Sequence, residues 1–194
     1  MELAAIRDRI KRQRRSLSSN QLAQHGSSVC AHITKQTYYL NSSKLAIYLP
    51  VQGEISPLGL VAHARKLGKH IYLPILSPLA SKGLWFVKWS IHTRFQMNRF
   101  GIPEPEYAAK DLLPAQNLDL VITPLVAFDQ HCHRIGMGGG FYDRTFSFLL
   151  ARKHWIKPQL IGLAHDFQKI KAIHPQAWDI PLQGVVTERA FYAP

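Results

Sequence analysis

Leu118-Asp119-Leu120-Val121-Ile122-Thr123-Pro124 is the stretch that decides the fold. It is a short, nearly continuous apolar run closed by a proline, as expected for a strand covered on both faces. The same pattern recurs at Lys44–Leu49 before Pro50 and at His70–Leu73 before Pro74. Leu160–Leu163 and Val185–Thr187 are two further strands by the same reading, while Leu84–Trp89 alternates and reads as an antiparallel or edge strand. Residues 57–67 and 141–153 have helical character between these runs. Buried strands alternating with helices predict an α/β fold, a mostly parallel sheet flanked by helices on both faces. With 194 residues, the chain is expected to form one domain over 1–194 and to bury its core without disulfides. Proline cannot donate to a strand ladder, so the segments after Pro50, Pro74 and Pro124 should emerge at the carboxyl edge of the sheet. Ligands of open α/β sheets bind at that edge.

Ahead of the first strand the sequence changes character. Arg7, Arg9, Lys11, Arg12, Arg14 and Arg15 crowd one stretch, interrupted by Leu3, Ile6, Ile10 and Leu17 at helical spacing. Residues 3–17 therefore read as an amphipathic helix with an apolar stripe and a cationic remainder. Ser18, Ser19 and Asn20 offer a stop and a new N-cap, followed by a second helix over 20–38 with Leu22, Val29 and Ile33 facing the core. Overall, 24 Lys and Arg against 12 Asp and Glu give a net charge of +12, which points to an anionic partner. Nucleic acid, a membrane surface, a nucleotide and a polyanionic metabolite all satisfy that charge. A composition of 46% hydrophobic and 19% charged residues excludes a disordered chain or a collagen. No apolar run is long enough to cross a membrane. Cys30 and Cys132 are far apart and form neither a disulfide framework nor a zinc ribbon. No apolar segment follows the N-terminal charges, so no signal peptide is expected and a cytoplasmic location is.

The segments past the strand prolines carry the chemistry. After Pro124 the chain runs through Asp129-Gln130-His131-Cys132-His133 into Arg134-Ile135-Gly136-Met137-Gly138-Gly139-Gly140-Phe141-Tyr142-Asp143-Arg144. Four glycines in five positions permit left-handed backbone and close approach to a ligand. Successive N–H groups there can form an anion nest, and the helix that follows adds positive dipole. Arg134 and Arg144 flank the loop and suit phosphate oxygens, and Asp143 suits Mg²⁺ beside a phosphate. The bland alternative is a flexible turn, and no Gly-Lys-Ser/Thr of a Walker loop is present. After Pro50, Glu54 is either a ligand for an N–H-rich group or a solvated cap. Phe100, in Arg99-Phe100-Gly101-Ile102-Pro103-Glu104-Pro105, either stacks on a flat ring or belongs to a connector. Asp179, in Trp178-Asp179-Ile180-Pro181, either reaches a metal or caps a turn. His131, Cys132 and His133 lack the spacing of a metal site, and the other histidines read as scattered surface or core residues.

Taken together, these segments resemble the 5-formyltetrahydrofolate cyclo-ligase family over nearly the whole chain. The resemblance rests on the basic first helix, Tyr48-Leu49-Pro50 with Gly53-Glu54, the Phe100–Pro105 stretch, Leu118–Val121 and Trp178–Pro181. Its most specific part runs from Pro124 through Arg144, where Arg134–Arg144 resembles the family signature closely. It implies an α/β domain of the NagB/RpiA/CoA-transferase-like kind. It also implies ATP- and Mg²⁺-dependent conversion of 5-formyltetrahydrofolate to 5,10-methenyltetrahydrofolate through a phosphorylated formyl group. By family position, Arg7, Arg134, Ile135, Gly136, Met137, Gly138, Gly139, Gly140, Phe141 and Tyr142 would contact ATP. Leu49, Glu54, Phe100 and Tyr142 would contact the folate, polyglutamylated forms included. Asp143 and Asp179 would serve Mg²⁺, and Arg134, Tyr142 and Asp143 would be the catalytic groups.

Three positions depart from the family pattern. A lysine common in the first helix is Leu3, a glycine before the signature arginine is replaced within His131-Cys132-His133, and a tryptophan of some members is Phe100. The missing lysine contact would fall to a neighbour such as Arg9 or Lys11. The rival readings are a nucleic-acid-binding protein, favoured only by charge, another ATP-using or CoA-transferring enzyme on the same fold, and an inactive folate-binding module. A membrane partner is not expected, nucleic acid is disfavoured, and a monomer is expected.

Overall fold

In a computed structural model, which describes residues 3–77, 83–152 and 157–194, the deciding stretch forms a strand near the middle of an eight-stranded sheet. The strands in chain order are β1 Lys44–Ala46, β2 His70–Leu76, β3 Leu84–Lys88, β4 Phe95–Met97, β5 Pro103–Pro105, β6 Leu112–Leu113, β7 Leu120–Pro124, β8 Ala127–Phe128, β9 Arg134–Ile135, β10 Gln159–Leu163, β11 Gly184–Val186 and β12 Phe191–Tyr192. The main sheet has the order β12-β11-β10-β7-β1-β2-β3-β6. Strands β11, β10, β7, β1 and β2 are parallel, and β12, β3 and β6 add antiparallel edges. Two small ribbons, β4–β5 and β8–β9, stand apart from it. The expected mostly parallel α/β architecture is thus observed.

Residue alternation along β7 explains how both faces are covered. Leu120 and Ile122 pack on one face with Leu45, Ile71 and Ile161, under α2 (Ser19–Ile33), α3 (Thr37–Leu40) and α4 (Gly59–Lys66). Val121 packs on the other with Leu160, Val185 and Phe86, against Phe146 of α5 (Phe141–Phe146) and Leu149 of the 3₁₀ turn Ser147–Ala151. Gly162 lies on that second face, where an added Cβ would come within 2.5 Å of Leu125 and 2.8 Å of Leu182.

Helix α1 (Leu3–Arg15) packs Ile6 and Ile10 on Val126, Ala127 and Ile135, beside the carboxyl end of β7. Its buried stripe differs from the expected one. Leu3 is 51% exposed and Leu17 lies past the helix end, whereas Arg14 is only 1% exposed. Ile6, Ile10 and Arg14 follow one another at intervals of four, so an arginine continues the apolar face. Ser18 caps α2: its hydroxyl accepts from Gln21 N at 3.2 Å, and the Gln21 side chain accepts from Ser18 N at 2.9 Å. Such a cap contributes about 1 kcal/mol. Val29 and Ile33 are buried as expected, and Leu22 is half-buried.

Several boundaries move from their expected places. The first strand, expected over Lys44–Leu49, ends at Ala46, where its parallel pairing to β2 stops at Tyr72. The second helix ends at Ile33, because Gln36 takes an extended backbone and restarts the chain as α3. The helix expected over 141–153 is a six-residue α-helix followed by the 3₁₀ turn, with residue 153 outside the described residues. Pro74 sits inside β2 rather than at its end. It is accommodated because Tyr72, two residues earlier, faces β1 opposite Ala46, so the proline nitrogen points past the last residue of β1. Pro124 does close β7.

The topology fixes where a ligand can enter. From β1 the chain moves to β2 on one side, and β7 returns to pair with β1 on the other. Order reverses between these neighbours, and the segments leaving β1 and β7 diverge around a crevice at their carboxyl ends. Gly162→Ala tests the packing on the covered face. It is expected to lower the free energy of unfolding by about 1–3 kcal/mol through overpacking, read as a lower urea midpoint with an unchanged slope.

Candidate active site

The loop leaving β1 makes a tight reversal. Gln52 and Gly53 both take positive φ, at 51° and 73°, and Glu54 N donates to Val51 O at 3.1 Å. A Cβ at Gly53 would sit 2.6 Å from Arg14 O, so glycine is required there by both backbone angle and space. The reversal delivers Glu54 inward to 8% exposure. Its Oε2 accepts from Val51 N at 3.1 Å, and its Oε1 lies 3.5 Å from Arg14 Nη1. Burial raises the Glu54 pKa, and the Val51 N–H and Arg14 only partly oppose it.

The loop leaving β7 is organised by Asp129, which is 1% exposed. Oδ1 accepts from His131 N and His133 N, each at 3.0 Å, and Oδ2 accepts from Ile173 N at 3.0 Å and pairs with His133 Nδ1 at 3.0 Å. Burial opposes its ionisation, but these donors outweigh it and the pKa is lowered. Cys132 adopts the left-handed conformation with φ 60°, and its thiol is buried. His131 faces Gln130 and His133 faces Asp129, so both side chains serve the turn.

Beyond β9 the glycine loop folds against α1. Arg7 Nε donates to Gly136 O at 2.9 Å. Gly138 and Gly140 have φ of 103° and 60°, the alternating backbone that turns N–H groups to one side. Arg144 donates back to Gly139 O and lies over the Phe141 ring at 5.3 Å, so its guanidinium braces the loop it was expected to flank. Arg134 joins three elements: Nη1 donates to Ile180 O at 2.6 Å and Nη2 pairs with Asp143 Oδ1. Ile180 N also donates to Asp143 Oδ1, at 3.3 Å. Burial lowers the Arg134 pKa, against Asp143, Asp179 and Tyr142, which raise it. Asp179 turns its Oδ2 to Gln176 N at 2.8 Å, the turn role, while remaining close enough for its charge to act on Arg134.

Aromatic residues rim the site. Phe100 is 55% exposed and meets Phe141 edge-on at 5.9 Å. Asn98 holds that loop in shape, its Oδ1 accepting from Phe100 N and Ile102 N at 2.8 and 3.1 Å, and its amide donates to Glu104 at 2.8 Å. Tyr142 stacks on Phe146, and burial, then Glu54, hold its phenol well above the ordinary range, so it stays protonated. Leu49 packs on the core beneath the 51–54 loop. A cleft of about 430 Å³ opens between Gly138, Gly140, Asp143, Arg144, Leu150 and Trp178. A larger open groove, about 570 Å³, runs past Lys88, Arg94, Glu106 and Asp111 and touches none of these residues.

The structure therefore gathers Arg7, Glu54, Phe100, Arg134–Asp143 and Asp179 at one sheet edge from five separate stretches. It adds Arg14, Asn98 and the Ile180 main chain, which local sequence did not single out. For Arg14 the signal was present, since it falls on the apolar stripe of α1. For Asn98 and Ile180 the partners are distant or main-chain atoms that no sequence pattern reports.

Fold and site define an α/β protein with a glycine nest, paired arginines and two carboxylates at a switch point, the equipment of an enzyme that handles phosphorylated ligands. The family is specific: residues 2–188 match the model of the 5-formyltetrahydrofolate cyclo-ligase family, and the chain belongs to it. It is 38% identical over 178 residues to the 5-formyltetrahydrofolate cyclo-ligase of Escherichia coli strain K12, covering 92% of this chain and 96% of that one. The Haemophilus influenzae cyclo-ligase is 36% identical over 179 residues, covering 91% and 92%. Among solved structures, the Aquifex aeolicus 5,10-methenyltetrahydrofolate synthetase superposes with a TM-score of 0.81 at 27% identity, covering 100% of this chain and 93% of that one.

Asp129 supplies a pH test. Its folded pKa is depressed, so its contribution to stability is present above its unfolded pKa of about 4 and is lost as pH falls through the folded value. Asp129→Asn is expected to destabilise the protein at neutral pH and to flatten the fall of the urea midpoint below about pH 4. An acid limb as steep as the wild type's would refute this role for Asp129.

Proposed function

We propose that the chain cyclises 5-formyltetrahydrofolate to 5,10-methenyltetrahydrofolate with ATP, releasing ADP and phosphate, in the crevice between α1, the 51–54 reversal and the glycine loop. The observation that carries this reading is the tying of Arg7 to Gly136 and of Arg134 to Asp143 around the glycine loop, beside a cleft lined by Gly138, Gly140 and Asp143. Phosphoryl transfer is chiefly positioning and charge neutralisation, and this arrangement supplies both. The N–H groups from Ile135 through Phe141 cradle the phosphates, Arg7 and Arg134 balance their charge, and Met137 and Tyr142 close the sides. The formyl oxygen attacks the γ-phosphorus as the bond to ADP breaks. N10 of the folate then attacks the same carbon and phosphate leaves. Nucleophile and electrophile both belong to the substrates, which agrees with a site built of donors and carboxylates.

Mg²⁺ fits the donor set. It takes one or two carboxylates together with phosphates and water, and Asp143 and Asp179 are two carboxylates whose charges converge on Arg134. Both contacts described for Asp143 fall on Oδ1, leaving Oδ2 to offer. When bound, the ion neutralises phosphate charge. Glu54 accepts from N–H groups of the pterin, with Leu49, Phe100 and Tyr142 against its ring. The exposed Arg9, Arg12 and Arg15 of α1 suit the carboxylates of a polyglutamyl tail. Every group invoked comes from one chain, so a monomer suffices. No helix among the described residues is long and apolar enough to cross a membrane, and two buried free cysteines suit a reducing cytoplasm.

The direct test follows methenyltetrahydrofolate absorbance with 5-formyltetrahydrofolate, Mg²⁺ and ATP, against an ATP-free control. ATP-dependent product is expected, and its absence from folded protein would overturn the proposal. Asp143→Asn and Arg134→Lys are each expected to lose at least about 100-fold in kcat, the scale of removing one charge-stabilising group. Either variant turning over at the wild-type rate would remove that residue from the site.

A further inference from the structure

Behind the 51–54 reversal, three residues from three elements meet in a place the cyclisation does not use. His25 comes from α2, His165 follows β10, and Glu188 follows β11. His25 Nδ1 and His165 Nδ1 are 2.8 Å apart, and Glu188 Oε1 is 4.0 Å from His25 Nδ1. One donor atom from each residue lies within 4.8 Å of the other two. We propose that this trio is a second, transition-metal site, taking Zn²⁺ or a similar divalent ion through two imidazoles and one carboxylate.

The orientation of each donor supports it. Gly53 O can only accept, so His165 Nε2, 2.9 Å away, carries the hydrogen and Nδ1 presents a lone pair to His25. A metal-binding histidine is characteristically anchored in this way, by a carbonyl on its other nitrogen. His165 is fully buried and stacks on Phe167 at 5.2 Å, which fixes its ring plane. Glu188 is anchored too, since its Oε2 accepts from Asp166 N at 2.9 Å while Oε1 faces the histidines. Zinc at about 2.0–2.1 Å from each ligand in a tetrahedron separates the donor atoms by about 3.4 Å. The observed 2.8 and 4.0 Å bracket that value and the third separation is within 4.8 Å, so rotation of the His25 and Glu188 side chains would complete the site. Its chemistry also separates it from the proposed Mg²⁺ position, because imidazole suits zinc and cobalt whereas Mg²⁺ prefers oxygen ligands alone. Arg14 acts on His165 from nearby, and the Glu188 carboxylate offsets that positive charge. Without metal, the two Nδ1 atoms share one hydrogen.

The test needs no turnover. Tag-free full chain, stripped with a chelator, is titrated with Co²⁺ and followed by visible absorption. One equivalent with tetrahedral-type bands, displaced by Zn²⁺, is expected. His25→Ala and Glu188→Gln should each weaken binding at least about 100-fold, the upper range for losing even an outer partner. Asp143→Asn should leave the bands unchanged, which keeps this result independent of the cyclisation reading. His25 is only half-buried on its helix, and circular dichroism checks that each variant is folded. No cobalt bands from the folded wild type, or bands that survive in both variants, would overturn the proposal.

Discussion

A guanidinium without water requires a counter-charge, and the position of α1 depends on that requirement. Arg14 is buried to 1% exposure and has Glu54 as its ion partner. Its Nε and Nη2 meet no acceptor among the described residues, so Glu54 carries the compensation alone. Removing one member of such a pair strands the other and costs roughly 3–5 kcal/mol. The pair cannot drift apart cheaply, and it fastens the helix to the loop that leaves β1. Gly53 completes the fit by letting that loop press on the Arg14 main chain. The same helix, two turns earlier, reaches the other loop through Arg7 and Gly136. The two walls of the crevice are therefore spaced by one rigid rod.

The carboxylates divide into two kinds. Asp129 is fully committed to main-chain donors and one histidine, and it shapes a turn. Asp166 is similarly occupied, by Tyr192, Thr187 and Arg189, on the side of the sheet end away from the glycine loop. Glu54 lies between the two kinds, its two oxygens held by Val51 N and Arg14, whereas the contacts of Asp143 and Asp179 each fall on one oxygen. Protein partners can saturate a structural acid, whereas an acid meant for a ligand must keep capacity in reserve.

What the sequence disclosed was local. The β7 run, the Gly136–Gly140 loop and the Ser18 cap each lie within a few residues, where period, proline and glycine have direct backbone meaning. Arg14 was hidden by being read as one more solvated cation, although its spacing from Ile10 placed it on the buried face. His25 and His165 are 140 residues apart and looked scattered because only the packing of α2 over the sheet brings them together. Pro74 misled because the rule that proline ends a strand holds only where the neighbouring strand continues. Cys132 shows the reverse: a residue other than glycine takes left-handed backbone, with Asp129 accepting the N–H groups on either side of it.

The contact between Arg7 and Gly136 spans 129 residues of chain. At a synthesis rate of about 5–20 residues per second, the interval between making these two residues is roughly 6–26 s. For most of that time Ile6 and Ile10 have no surface to pack on, since Val126, Ala127 and Ile135 have yet to be made. The cations surrounding that stripe then act as a solubilising coat for a helix made well before the surface it docks on. Ribosome-bound chains stopped short of Ile135 should consequently expose α1 to protease, and the released, folded chain should shield it.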